Sequence, residues 1–347
     1  MDALYTKYRP SNFNEVIGQE SVIRILKQQL STNSIFNCMI FSGTSGTGKT
    51  TLARIFANEL NEGEGFPIEI DAASNNGVDN VRQIIESASE RSLHSKYKVY
   101  IIDEAHMLST QAWNAFLKTI EEPPKYTVFI FCTTDPHKIP ETIQNRCMRF
   151  NFTRVSSRLI EQKLDYICRK ESNIVTCRKE SIVNWEDSIN YISRICDGEV
   201  RKAISMLETC ISYSKEMSIE NTLKALGNLS YDDYIKIVDA ILDGDIIRVT
   251  TIIETLYDSG ASLKKFVDLF TEFCLDILKY ILSADIQLTK LPSHFEKSID
   301  KIIKFDNANK YYLYFVDKLL ELKNMIKIDN NEKITVEIVF SQMCRFI

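Results

Sequence analysis

Short apolar runs punctuate the first half of the chain at Cys38–Phe41, Ile68–Ile70, Val99–Ile102 and Val128–Cys132. Each is rich in β-branched or aromatic residues and predicts a strand. Runs that are apolar on both faces fit a buried parallel sheet better than a half-exposed antiparallel one. Between them the spacing turns helical, as at Trp113, Phe116, Leu117 and Ile120. Strand and helix in alternation predict an α/β layered domain. A fifth strand near Met148–Phe152 closes that sheet.

After about Arg154 the strand signals mostly vanish. Val249, Ile252, Ile253, Leu256 and Tyr257 follow the stripe of an amphipathic helix, and Phe266, Leu269, Phe270 and Phe273 repeat it. Leu226–Ser230, with Gly227, reads as a hinge. The pattern therefore predicts an α/β domain over 1–154, a small helical domain over 155–226 and a larger one over 227–347. The last third is a helical bundle that either covers its own core or serves as an assembly surface.

Composition changes little of this. Hydrophobic residues make up 44% and charged residues 26% of the 347, ordinary values for a globular chain. No apolar span is long enough to cross a bilayer, and the opening MDALYTKYRPSNFNEV has no apolar signal core. A cytoplasmic protein without membrane contact is expected. The nine cysteines contain no C-x-x-C pair, which argues against a disulfide framework or a zinc site and for a reducing compartment. The net charge of −5 leaves nucleic-acid contact to a local basic strip or to helix N-termini.

Gly43-Thr44-Ser45-Gly46-Thr47-Gly48-Lys49-Thr50 matches G-x-x-x-x-G-K-[ST] in full. A predicted strand precedes it and the helix-like TLARIFANEL, opening at Thr51, follows. Glycines let the backbone wrap a phosphate and turn N–H groups inward, while the helix N-terminus adds partial positive charge. Lys49 is then placed for the β- and γ-phosphates and Thr50 for Mg²⁺. Val99–Ile102 leads into Asp103 and Glu104. Ligands of parallel sheets sit beyond the carboxyl ends of strands, so Asp103 is expected on the hydrated Mg²⁺ and Glu104 on the water that attacks the γ-phosphate. His106 reads as a polar neighbour of the site rather than a ligand.

Val128–Cys132 ends in Thr133-Thr134-Asp135-Pro136, where a hydroxyl could orient that water or contact the γ-phosphate and a turn terminates the strand. Arg146 and Arg201 are, on their residues alone, surface charges by default. Arg201 opens a helical stretch after Gly198-Glu199-Val200.

In this order the pieces resemble the AAA+ clamp-loader ATPases, most closely the bacterial DNA polymerase III gamma/tau family. The likeness runs from Lys7-Tyr8-Arg9-Pro10 and Val16-Ile17-Gly18-Gln19-Glu20 through the phosphate loop. It continues through Glu69-Ile70-Asp71-Ala72-Ala73-Ser74-Asn75-Asn76-Gly77-Val78, the acidic pair, Phe116–Pro124, Thr133–Pro136 and Arg146-Cys147. The resemblance implies an AAA+ P-loop parallel-sheet domain, a small helical lid domain and an all-α collar domain. It places Tyr8, Arg9, Pro10, Val16 and Ile17 around adenine, makes Thr134 the first sensor and Arg201 the second, and makes Arg146 an arginine finger for the ATP of a neighbouring subunit. Ser74, Asn75, Asn76, Gly77 and Arg82 fall where the family follows the DNA backbone; for Arg82 alone, a plain surface charge is the other reading.

The family assembles such subunits, alike and unlike, into a ring of a DNA polymerase III-type holoenzyme. The ring uses ATP and Mg²⁺ to open a sliding clamp and place it on primer–template DNA. Three departures stand out. Only Asn61–Pro67 occupies the position of the family's four-cysteine zinc module, so no zinc is expected. Asn145 replaces the usual serine before Arg146. The chain also ends with the collar-like part, without a tau-type tail. Together the three features suggest a reduced version from a virus, plasmid or compact genome. Two rival readings are another AAA+ DNA motor, such as a branch-migration helicase, and a scaffold subunit that binds ATP without hydrolysing it.

Overall fold

The computed structural model describes residues 3–92, 95–171, 185–289, 291, 296–329 and 331–345. The described chain falls into two compact units, one from 1–172 with 192–208 and the other from 173–191 with 209–347.

In the first unit five strands, β1 (Cys38–Ser42), β2 (Ile68–Asp71), β3 (Lys98–Asp103), β4 (Thr127–Thr133) and β5 (Met148–Asn151), pair in the order β2-β3-β4-β1-β5. Every pairing is parallel. The register sets Ser42 beside Thr133 on β4 and Asn151 on β5. The carboxyl ends of these strands therefore meet along one edge, where α/β sheets hold their ligands.

Successive strand residues point to opposite faces, and both faces are filled. Met39 and Phe41 join Leu52, Phe56, Ile101 and Ile130 on one side. Cys38 and Ile40 join Tyr100, Trp113, Phe116, Phe129 and Phe131 on the other. The ring of Phe116 stands edge-on to Phe129 and Phe131 at 5.7 and 5.6 Å, a geometry that adds to the burial of the rings.

The expectation of a fully buried sheet fails at β2. This strand is an edge, paired to β3 alone, and Ile68 is 38% exposed. Glu69 interrupts its apolar run, so Ile68-Glu69-Ile70 alternates as a strand with one solvated side does. Glu69 pairs with Arg54 of the helix Lys49–Leu60, giving the open edge a charge that discourages further strand pairing.

All described elements after β5 are helical. The second unit has its own core: Phe270 lies 5.5 Å from Phe340, and Tyr234 lies 5.2 Å from Phe273. The long helix Leu263–Ser283 packs on Ala308–Met325. Of the predicted stripe, Val249 and Ile253 are buried while Tyr257 is exposed. Gly227, at φ 63°, ends the helix Ile219–Leu226, and the Asn228 N–H returns to the Leu223 carbonyl. This left-handed cap turns the chain at Leu226–Ser230, the stretch read from sequence as a hinge, which lies within the second unit.

Phe116→Ala removes a fully buried ring from between two others. It should destabilise the first unit by about 3–5 kcal/mol, read as a lower denaturant midpoint in urea unfolding.

Candidate nucleotide-binding site

The loop after β1 is pinned before it turns. The Gly43 N–H donates to the Thr133 carbonyl at 3.2 Å, fixing the loop to the end of β4. Gly43, Gly46 and Gly48 have φ of 150°, 69° and 99°, where residues with a Cβ are strained. A Cβ on Gly43 would lie 2.3 Å from the Phe152 carbonyl oxygen. The helix Lys49–Leu60 begins at once, with no side chain capping its N-terminus. Its first amides are thus available to an anion.

Lys49 is only 7% exposed. Its Nζ donates to the carbonyls of Gly43 at 2.8 Å and Thr44 at 2.9 Å, holding the ammonium over the loop. Burial lowers its pKa from the usual lysine value, because a desolvated cation without an anion is costly. A phosphate there would supply that anion.

Thr50 Oγ1 donates to Asp103 Oδ2 at 2.8 Å, which joins the start of the helix to the end of β3. The other Asp103 oxygen accepts from the Glu104 N–H at 3.0 Å. Glu104 takes a left-handed backbone, φ 46°. Its Oε2 accepts from Thr134 Oγ1 at 3.2 Å and lies 3.3 Å from His106 Nδ1. Thr133 Oγ1 is 3.2 Å from the same imidazole nitrogen. His106 is therefore a polar neighbour of the acidic pair, as its position in sequence suggested.

These groups open onto a cavity of about 420 Å³ lined by Tyr8, Arg9, Pro10, Val16, Ile17, Ser45, Gly46, Thr47, Gly48, Lys49, Thr50, Thr51, Asp103, Glu104 and Arg201. Gly43, Thr44 and Thr134 stand just behind the lining, bonded to Lys49 and Glu104. Beside the loop residues the lining includes the apolar side chains of Pro10, Val16, Ile17 and Ile204 and the aromatic Tyr8. A cavity that combines apolar walls with anion-binding groups suits a planar base joined to phosphates.

Arg9 Nε donates to Thr51 Oγ1 at 3.2 Å, and burial, followed by the nearby Arg54 charge, lowers its pKa. The Arg201 guanidinium lies over the Tyr5 ring at 4.7 Å, a cation–π contact that seats it at the cavity. Arg146 is not in the lining. It pairs with Glu121 at 2.7 Å and donates to the Thr142 carbonyl at 2.6 Å.

Ser74, Asn75, Asn76 and Gly77 also lie outside the cavity, in the loop between β2 and the helix Val78–Ser89. Asp71 organises that loop by accepting from the Ala73 N–H at 2.9 Å and Ser74 Oγ at 3.1 Å. The Ser109 N–H donates to the Asn76 carbonyl at 3.2 Å. Arg82 is exposed and 3.3 Å from Asp79, a pairing worth little on its own.

Sequence reasoning missed several cavity residues. Arg54 and Tyr5 line it without belonging to any motif. Gln19 was noted only as part of Gly18-Gln19-Glu20. Its buried amide donates to the Thr153 carbonyl at 2.7 Å and accepts from the Thr153 N–H at 3.1 Å, bracing the wall behind the loop. Its left-handed backbone, φ 62°, is not spelled by its residue type, so no signal in the sequence marks it. Among the described residues no group of three or more His, Cys, Asp or Glu side chains is placed to hold a metal ion.

A parallel five-stranded sheet with flanking helices and a phosphate loop at its carboxyl edge defines a P-loop protein of the AAA+ fold. The Thermotoga maritima RuvB Holliday junction branch migration motor shares it with a TM-score of 0.52, over 68% of this chain and 80% of that one, at 20% identity; this likeness concerns the fold alone. The family model described as DNA polymerase III, delta subunit, matches residues 66–156. The DNA polymerase III subunit gamma of Buchnera aphidicola subsp. Baizongia pistaciae is 31% identical over 98% of this chain and 96% of its own length. The Bacillus subtilis DNA polymerase III subunit tau is 33% identical over 99% of this chain. The chain belongs to the DNA polymerase III gamma/tau family. It spans 63% of the Bacillus subtilis subunit and 55% of the Mycoplasma genitalium gamma/tau subunit.

Gly43→Ala forces both a strained φ and a backbone clash. It should lower stability by about 1–3 kcal/mol and weaken ATP binding together, read by thermal melting and calorimetric titration of one preparation.

Proposed function

We propose that this chain is the ATPase subunit of a DNA replication clamp loader, binding and hydrolysing ATP to open a sliding clamp and place it on primer–template DNA. The observation that carries the proposal is the hydrogen-bonded line from Thr50 through Asp103 to Glu104 and Thr134, set beside the buried Lys49. A binding-only scaffold needs the lysine but not a carboxylate held for water activation. Membership of the gamma/tau family supports the same reading.

The roles follow from position. Tyr8, Arg9, Pro10, Val16 and Ile17 border the adenine, and the amides of Gly43 to Thr51 hold the phosphates, with Lys49 on the β- and γ-groups. Thr50 and Asp103, already 2.8 Å apart, would hold Mg²⁺, whose remaining ligands come from phosphate and water. That ion offsets phosphate charge when bound. Glu104 takes a proton from the attacking water, and Thr134 orients the carboxylate. Arg201 contacts phosphate from the same chain.

Arg146, tied to Glu121 on its own surface, serves the ATP of a neighbouring subunit, where its charge stabilises the transition state. Hydrolysis then depends on assembly. Residues 1–154 form the nucleotide domain, 155–226 the lid and 227–347 the collar through which like and unlike subunits close a ring. Ser74, Asn75, Asn76, Gly77 and Arg82 follow the DNA backbone by amide and charge contacts that read no sequence. The protein works in the cytoplasm and uses no zinc.

Glu104→Gln should keep ATP affinity and lower turnover of the assembled ring by about 100-fold or more; unchanged phosphate release would remove Glu104 from its role. Mixing Arg146→Ala subunits with Lys49→Ala subunits should restore part of the hydrolysis that either variant lacks alone. A finger acting within its own chain gives no such rescue.

A further inference from the structure

The stretch from Leu4 to Pro10 is fastened to the wall of the cavity at several points. The Leu4 N–H donates to Glu208 Oε1 at 3.1 Å, Tyr5 lies under Arg201, and Arg9 bonds to Thr51. The fastening that the proposed ATPase chemistry leaves unused is Glu171. This residue follows the helix Ser157–Lys170 and is only 7% exposed. A single carboxylate oxygen, Oε1, accepts from both Lys7 Nζ and Tyr8 Oη, the latter at 2.6 Å.

The consequences of these two hydrogen bonds fall on Tyr8. Tyr8 lines the cavity, and its ring meets Tyr166 edge-on at 6.3 Å. A phenol has one proton to donate, and here it is spent on Glu171. Tyr8 therefore offers a base its ring and no hydrogen-bond donor. Lys7 balances the buried carboxylate: its hydrogen bond is the main cause that keeps the Glu171 pKa below the usual glutamate value. Burial, followed by the bond to Glu171, pushes the Tyr8 phenol up and keeps its proton in place. Glu171 does not line the cavity, so whatever it does there passes through Tyr8.

We infer that Glu171 is a positioning residue that sets the base-binding end of the nucleotide site by locking the Tyr8 ring through a shared bond with Lys7. The inference rests on the nucleotide reading above and adds a division of labour to it. The loop and Lys49 supply affinity for phosphates irrespective of base, while Glu171 governs the additional affinity that a base brings. A residue that merely stabilised the fold would affect both parts alike.

The test uses the full chain and two probes, ATP and inorganic tripolyphosphate, titrated calorimetrically at one magnesium concentration. The wild-type chain should bind ATP more tightly than tripolyphosphate. Glu171→Ala should weaken ATP by about tenfold and leave tripolyphosphate within about twofold. Glu171→Gln, which keeps an acceptor for Tyr8, should recover most of the ATP affinity, and Tyr8→Phe should behave like Glu171→Ala without disturbing the contact with Lys7. Equal loss for both probes, or unchanged ATP affinity in Glu171→Ala and Tyr8→Phe, overturns the positioning role and leaves the nucleotide site standing. A wild-type chain that binds neither probe overturns both.

Discussion

The hydrogen bond between Thr50 and Asp103 organises the first unit, because it ties the helix that opens the phosphate loop to the strand that brings the acidic pair. It can form only if β1 and β3 end at the same level with β4 between them. The register provides this: Ile101 stands beside Ile130 on β4, and Met39 stands beside the same residue. A slip of one residue would turn every side chain on one strand to the opposite face. The aromatic packing of Phe116, Phe129 and Phe131 opposes such a slip, so core packing and site geometry are one constraint.

A second consequence concerns charge. The cavity gathers Lys49, Arg9, Arg54, Lys163 and Arg201 with Glu15, Asp103 and Glu104, and of these cations Lys49 is the buried one, for which a close anion matters most. Its ammonium is held by the carbonyls of its own loop. Exchange of those carbonyls for phosphate oxygens would give the lysine a charged partner and free the loop to close around it. The second unit has a separate aromatic core.

Much of this was legible in the sequence, for identifiable reasons. β1, β3 and β4 are apolar on both faces and bounded by polar residues, so their burial could be read directly. The phosphate loop carries its own spelling, and Asp103-Glu104 follows from its place at a strand end. β2 was misread because two isoleucines around one glutamate look alike at an edge and in a core. Glu171 is invisible because its partner Tyr8 lies far away in sequence, and Arg54 because its pairing with Glu69 depends on the helix packing beside the edge strand. Arg146 shows the opposite limit. Its motif is easy to find, yet among the described residues its side chain meets Glu121 and Thr142, and the role proposed for it needs a second subunit.

In the proposed function half of each catalytic site comes from a neighbour, and hydrolysis answers to DNA and clamp. The direct measurement is steady-state phosphate release from the reconstituted complex with primer–template DNA, with sliding clamp, and with both. The account predicts weak release from the isolated chain and stimulation by both together that exceeds the sum of the two alone. Stimulation by four-way junctions with no effect of the clamp would contradict it.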